Sequence, residues 1–360
     1  MQTSFSPLTT WCILRRLFVV LLCGMLAACS RKDPQPTVTL YTSSDAFIAQ
    51  PIIKAFEQKS GIKVNMVGDT EATKTTGLTE RLIAEMGKPM CDVWWSNEML
   101  GTVQLAALNV LDPFTPAAAK TDFAGTWPAA YADPQGRWHG HALRWRVIAY
   151  NTNRIKAADA PRTLQELILP RYKGAVGMAR PQFGTTRSQI TMMVALHGEK
   201  AVSDWITLML ANGVRLYDGN SAVVQALGHG EIEVGLTDTD DALQGKANKW
   251  PVDFVAEAVL PVSPSALPSV GPLAIPNTVA LVKGRPHPRE AQQLADYLLS
   301  AAAEEALARS EAHTVPIRES LRNSFKALDM PDAFAPVSPD QLSAAQTAAD
   351  RLIKTRFGVR

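Results

Sequence analysis

Cysteine is scarce. Of four in 360 residues, Cys12, Cys23 and Cys29 fall near the start, so Cys91 stands alone in the remainder and no disulfide framework can staple a fold there. An excess of one charge is equally lacking, with 36 Lys and Arg against 34 Asp and Glu, and a chain so balanced has no global basic field for nucleic acid. No Gly-X-Ser-X-Gly elbow, zincin histidine pair or Cys/His signature occurs, which removes the commonest marks of a secreted hydrolase, the enzyme alternative for this chain. There is no internal repeat, and the low-complexity stretches are short and Ala-rich, such as Ala301-Ala302-Ala303, which read as helix. No apolar run reaches bilayer-spanning length: Leu17 to Ala28, twelve residues, gives about 18 Å of helix against a hydrocarbon core of roughly 30 Å.

That short run follows Arg15-Arg16, and no acidic residue precedes Asp33. A basic start and a brief apolar stretch predict a secretory signal over residues 1–28. The run ends in Leu26-Ala27-Ala28-Cys29, which resembles the bacterial lipobox, so Cys29 is expected to become a lipidated N-terminus held at a membrane by its acyl chains. Residues 29–36 are polar and carry Pro34 and Pro36, the composition of a tether. Without Arg15 and Arg16, 34 basic residues face 34 acidic ones.

About 330 residues then remain, more than one core usually organises, so two lobes are expected. Thr37 to Thr42 alternates as a strand, Ser43-Ser44-Asp45 is a turn or N-cap, and the helix through Ile52 to Glu57 ends at Gly61, as a C′ glycine ends helices. Ile62 to Val67 is a strand, Thr79 to Met86 a helix and Cys91 to Trp95 a third strand. This β-α-β-α-β rhythm implies a parallel sheet with right-handed crossovers. Helix is expected again over Met99–Leu108, Thr163–Ile168, Thr185–Leu196, Pro288–Leu299 and Pro339–Lys354. Extended chain is expected through Arg144–Thr152, Val176–Ala179 and Pro272–Leu281. The alternation continues through Val202–Asn212, Val223–Leu227 and Glu233–Thr237.

Four ordered stretches carry a resemblance to a known family. They are Val38 to Ser44 with the Ser60-Gly61-Ile62-Lys63-Val64 that follows, Asp92-Val93-Trp94-Trp95-Ser96-Asn97-Glu98, Arg144 to Thr152, and Asn220-Ser221 through Gly230 to Glu233. The set resembles the periplasmic ferric-iron-binding family and its relatives for phosphonates, thiamine or polyamines, which are class II solute-binding proteins of ABC importers. The resemblance implies an α/β fold of two periplasmic-binding-protein-like lobes, each a mainly parallel sheet flanked by helices, joined by crossing hinge strands near Arg144 and Pro272. Lobe 1 would comprise 37–143 and 272–322, lobe 2 144–271, and 323–360 a C-terminal helical segment. It further implies a ligand closed between the lobes, a hinge motion, ABC importer permease subunits as partners, and a site on the periplasmic side of a bacterial membrane.

In open α/β sheets ligands sit beyond the carboxyl ends of strands. Those loops hold Ser43, Ser44, Asp45, Trp95, Asn97 and Glu98 in lobe 1, and Gly184, Thr185, Thr186, Asn220, Asp238, Asp240 and Asp241 in lobe 2. Gly184-Thr185-Thr186 opens a helix whose free N–H groups can receive an anion, with Arg180 and Arg187 nearby, although capping by either Thr is the ordinary alternative. The family has an anion-contacting Asn where Asn220 stands. Asp238, Asp240 and Asp241 crowd three carboxylates that need a cation or donors, and such oxygens suit hard cations; a solvated, capping turn is the alternative. One of Trp94 and Trp95 should wall the cleft and the other belong to the core. Arg144 and Arg146 share a strand face, where either ligand contact or an interlobe ion pair would use them. His139-Gly140-His141 presents two imidazoles but has no third metal ligand nearby.

Iron-binding members of that family place two tyrosines where this chain has Asp240-Asp241, an acid at Asn97 and often a histidine at Asp45. Without phenolates at those positions, weight shifts from direct ferric ligation toward a cationic, chelated or zwitterionic solute, such as an aminophosphonate with its anion at Thr185-Thr186 and its amine among the aspartates. No cofactor is expected beyond a metal ion arriving with the ligand.

Overall fold

The computed structural model describes residues 35–69, 76–258, 271–325 and 337–358. The expected signal, Cys29 and the tether up to Pro34 lie outside them. The lobes belong to the unit that begins at Thr37. Among the described residues, no helix is long and apolar enough to cross a membrane.

The first lobe opens with β1 (Thr37–Thr42), α1 (Ala46–Ser60), β2 (Lys63–Gly68), α2 (Thr76–Ala84) and β3 (Val93–Ser96), in the expected rhythm. Gly61 ends α1 at φ 74°, a left-handed angle that favours glycine. Then come α3 (Leu100–Ala107), β4 (Leu111–Asp112), α4 (Ala117–Asp122) and the long β5 (Trp138–Asn151). The second unit follows as β6 (Val176–Ala179), α5 (Gly184–His197), α6 (Glu199–Ala211), β7 (Arg215–Tyr217), α7 (Asn220–Gly228), β8 (Val234–Asp238), α8 (Thr239–Ala247) and β9 (Val252–Val255). The chain returns through β10 (Ala274–Val282), α9 (Pro288–Leu298), α10 (Ala301–Arg309), α11 (Glu319–Arg322) and α12 (Pro339–Phe357). The helix expected over Thr163–Ile168 is one 3-10 turn at Glu166–Ile168, held short between Pro161 and Pro170, which lack a donor for a longer ladder.

Strand order is β2-β1-β3-β10-β5-β8-β6-β7, with β4 on β10 and β9 on β5. The inner strands of each lobe pair in parallel, β1 with β2 and β3, and β6 with β7 and β8. The crossing strands β5 and β10 run antiparallel to their neighbours. β5 serves both lobes: Trp138–Trp145 pairs with β10, and Arg146–Tyr150 pairs with β8. Arg144 and Arg146 therefore flank the changeover from one sheet to the other.

β3 alternation puts Val93 and Trp95 on one face and Trp94 on the other. Trp95 joins the core of Phe56, Leu294 and Leu298, whereas Trp94 joins that of Leu82 and Val103. Cys91 is wholly buried, and burial pushes its thiol well up. His139 and His141 are buried too, with burial driving them down to about 4 and about 3, so they sit neutral in the lobe-1 interior. His139 stands edge-on to Phe114, and neither nitrogen of His141 has a partner among the described residues.

Helix α12 starts at a capping box formed by Ser338 and Gln341. Its buried stripe of Leu342, Ala345, Ala349, Leu352 and Ile353 packs on α5, α6 and α3, and it touches both lobes. Asp350 takes a two-pronged bond from Arg187, with Nε and Nη2 each at 2.8 Å.

Candidate functional site

The lobe-2 wall is organised around one carboxylate. Asp238, 1% exposed at the end of β8, accepts from Arg146 Nη1 at 2.8 Å through Oδ1, and from Thr185 Oγ1 at 2.5 Å and Asn220 Nδ2 at 2.9 Å through Oδ2. Arg146 also donates from Nη1 to Asn220 Oδ1 at 3.1 Å and from Nε to Gln189 Oε1 at 3.0 Å. Thr186 Oγ1 donates to Asn220 Oδ1 at 3.3 Å. Strand ends β5 and β8 and helix starts α5 and α7 are thus tied by charge-assisted bonds. The Thr185 hydroxyl spends its proton on Asp238 and has none left for an anion, so its expected donor role is corrected to a brace. Gln189, one helical turn after Thr185, is a member that the sequence reading missed.

α5 begins at Gly184 with φ 63°, and its N-cap residue Phe183 makes no side-chain cap bond. Beside that start, Arg144 Nη1 lies 3.3 Å from Asp240 Oδ2. Burial opposes the Arg144 charge, but Asp240, Asp238, Asp241 and Asp45 outweigh it and raise its pKa. Burial likewise raises the Asp240 carboxyl, against Arg144 and with Asp238. Asp240 Oδ1 is buried without a hydrogen-bond partner. Asp238, Asp240 and Asp241 bring one carboxylate oxygen each to within 4.8 Å of one another, close enough for a single metal ion.

Lobe 1 contributes less than the sequence suggested. Ser43 Oγ donates to Asn97 Oδ1 and accepts from Asn97 N, both at 3.0 Å, and lies 3.2 Å from Ser96 Oγ. Ser44 donates its backbone N–H to Thr42 Oγ1. These groups satisfy one another and fasten β1 to β3. Glu98 caps α3 by accepting from Leu100 N at 2.6 Å and Gly101 N at 3.1 Å, and it crosses to lobe 2 by accepting from Ser188 Oγ at 2.8 Å.

A cavity of about 340 Å³ lies between the lobes. Asp45, Phe47, Ile48, Glu311 and Ala312 line it from lobe 1, and Arg144, Gly184, Thr185, Thr186, Asn220, Asp238, Asp240 and Asp241 from the other side, with Arg180, Phe183, Asp218 and Gln244. Nine expected site residues therefore share one cavity. Ser43, Ser44, Asn97 and Glu98 do not line it; Glu98 faces a separate cavity of about 170 Å³ with Arg187 and Asp350. Trp95 is a correction: at 0% exposure it is wholly core, as is Trp94, whose Nε1 donates to Thr102 Oγ1 at 2.8 Å. Arg180 and Arg187 are engaged by Asp218 and Asp350. Six carboxylates and two guanidinium groups line the main cavity, so its field is negative.

Residues 103–341 match the family of bacterial extracellular solute-binding proteins, and the chain belongs to that family. Its relatives include the major ferric iron-binding protein of Neisseria meningitidis serogroup A, 28% identical over 199 residues, or 55% of this chain. The match spans only 57% of that relative's own length. Iron uptake protein A1 of Synechocystis is 26% identical over 294 residues, 77% of this chain and 74% of that protein. Among solved structures, iron-bound HitA from Pseudomonas aeruginosa superposes with a TM-score of 0.71 at 25% identity, covering 88% of this chain and 99% of that one.

Proposed function

We propose that this chain is the extracytoplasmic solute-binding component of an ABC importer and that its cargo carries positive charge, as ferric iron or a cationic ferric chelate does. One observation carries the reading: the buried, unpartnered Asp240 Oδ1 sits beside Asp241 in a cavity where carboxylates outnumber guanidinium groups three to one. Asp238 is already occupied by Arg146, Thr185 and Asn220, so the oxygen offered first to the cargo is Asp240 Oδ1, with the Asp241 carboxylate adding negative charge beside it. The relatives named above for ferric iron support this direction.

A second reading, a zwitterion such as an aminophosphonate, draws on Arg144 and the opening turn of α5 in the same cavity. An anionic group would meet those N–H groups and the Arg144 charge while its amine met the aspartates. In both readings the chain binds without turnover, with 37–143 and 272–322 as lobe 1, 144–271 as lobe 2 and 323–360 as the appended helical segment. Permease subunits would receive the closed form.

Native mass spectrometry of the protein purified from its own host, with elemental analysis for iron, tests the cargo. Iron or an amine-bearing mass at one per chain is the expected result. A retained neutral or purely anionic solute would sink the cationic reading.

Anchoring rests on Cys29, which follows Leu26-Ala27-Ala28. Replacing it, Cys29→Ser, is expected to abolish incorporation of labelled fatty acid, because the thiol is the acyl acceptor and no other cysteine follows such a tetrad. Label persisting on the variant would refute the assignment to Cys29.

A further inference from the structure

Two aromatic side chains of the cavity are not explained by packing or capping. Phe47 is 59% exposed, although α1 buries Ala49, Ile52, Ile53 and Phe56 on one stripe. Its neighbours one turn on, Gln50 and Pro51, are exposed as well, so Phe47 lies off that stripe. Phe183 holds the N-cap position of α5 without making a cap bond, where Ser, Thr, Asp or Asn would serve the helix better. Both residues line the interlobe cavity, Phe47 from lobe 1 and Phe183 from lobe 2, with Ile48, Ala179 and Ala312 completing the apolar part. Its volume of about 340 Å³ is in the range that holds small organic molecules, roughly 300–1,000 Å³. A bare ion with its few waters would leave both rings facing solvent.

We infer that the cargo is organic: a cationic centre joined to a planar apolar body, with the charge at Asp240 and Asp241 and the body against Phe47 and Phe183. This inference rests on the cationic-cargo reading above and names the ligand class within it. A flat π-surface gains offset or edge-to-face contact with phenyl rings, and a charge spread over it gains cation–π attraction. Phe47 and Phe183 are therefore specificity-determining residues, because they reward the body of the cargo and not its charge. A ring-bearing amine and a 1:1 aromatic chelate of ferric iron that keeps a net positive charge present this same chemistry.

Two matched pairs of probes separate these sources: phenethylamine against propylamine, and the 1:1 ferric catecholate against the 1:1 ferric oxalate, each of these two complexes carrying a net charge of about +1. Calorimetric titration of the full chain should show the ring-bearing member of one pair binding about tenfold tighter or more than its ringless counterpart. The pair that shows the gap tells amine from chelate. Phe47→Ala with Phe183→Ala should close that gap by weakening the ring-bearing member far more than its ringless counterpart, and Phe47→Tyr should keep it. Both rings lie outside the core, so an unaltered melting temperature checks that the variants are folded. Equal affinities within both pairs, or a gap that survives the double substitution, would overturn the inference. If ferric oxalate or propylamine binds in a manner that needs Asp240 and Asp241 but no ring adds affinity, only this inference falls. If none of the four probes binds, the cationic reading falls with it.

Discussion

Asp240→Asn combined with Asp241→Asn is expected to weaken binding of a ferric chelate or an amine by a hundredfold or more. Each substitution keeps the shape of the side chain and removes one negative charge from a cavity lined by six carboxylates. A charged contact is worth about 1.5–3 kcal/mol, or roughly ten- to 150-fold in Kd. The pH dependence should change with it. Burial raises the Asp240 carboxyl, so a proton competes with the cation at a higher pH than at an ordinary aspartate. In the parent, cation affinity is then full above that raised value and falls as pH drops through it; in the Asp240→Asn chain that part of the slope disappears. Stability moves the opposite way, because a carboxyl whose pKa is raised by folding favours the folded state below that value and opposes it above. Titration calorimetry across the acidic range checks both. Unchanged affinity in the double variant would place the cargo elsewhere in the cleft.

The β-α-β-α-β rhythm of lobe 1 was readable because hydrophobic alternation and Gly61 mark its repeats locally. The short strands β4, β7 and β9 were not, since two to four residues carry too little period to stand out. Of the loops singled out after β1, β3, β6 and β8, those of lobe 2 share the cavity while the lobe-1 loops reach it only through Asp45, and what each side chain does depends on partners distant in sequence. Ser43 and Asn97 consume each other across 54 positions, and Thr185 is consumed by Asp238 across 53. Asp92, part of the motif that carried the family resemblance, is a pin: it accepts from Thr39 N and His287 N, each at 2.7 Å. Glu311 and Ala312 reach the cavity from after α10, a placement that only the return of the chain through β10 creates. Phe47 had a local signal, an aromatic off the apolar stripe of its own helix. Arg144 and Arg146 share a strand face as expected, yet only Arg144 lines the cavity, because Arg146 is drawn under it by Asp238.

That burial makes Arg146→Met the substitution expected to cost most stability. The side chains of Arg146 and Asp238 are 2% and 1% exposed, so removing the guanidinium leaves a carboxylate in the interior with only Thr185 and Asn220 to satisfy it. Breaking a buried pair in this way costs about 3–5 kcal/mol. In domains of 150–250 residues each kcal/mol lowers Tm by roughly 2–4 °C, so a fall of about 6 °C or more is expected. Arg146→Lys should recover little. One ammonium cannot reproduce the fork that reaches Gln189 through Nε and both Asp238 and Asn220 through Nη1. Adding Asp238→Asn to Arg146→Met should instead restore part of the loss, because it removes the unpaired charge while an amide still bonds Thr185 and Asn220. Thermal unfolding of the two single variants and the double one gives the coupling directly. If the double variant is destabilised by the sum of the two singles, the pair does not act as a unit and the brace beneath the cavity floor is misassigned.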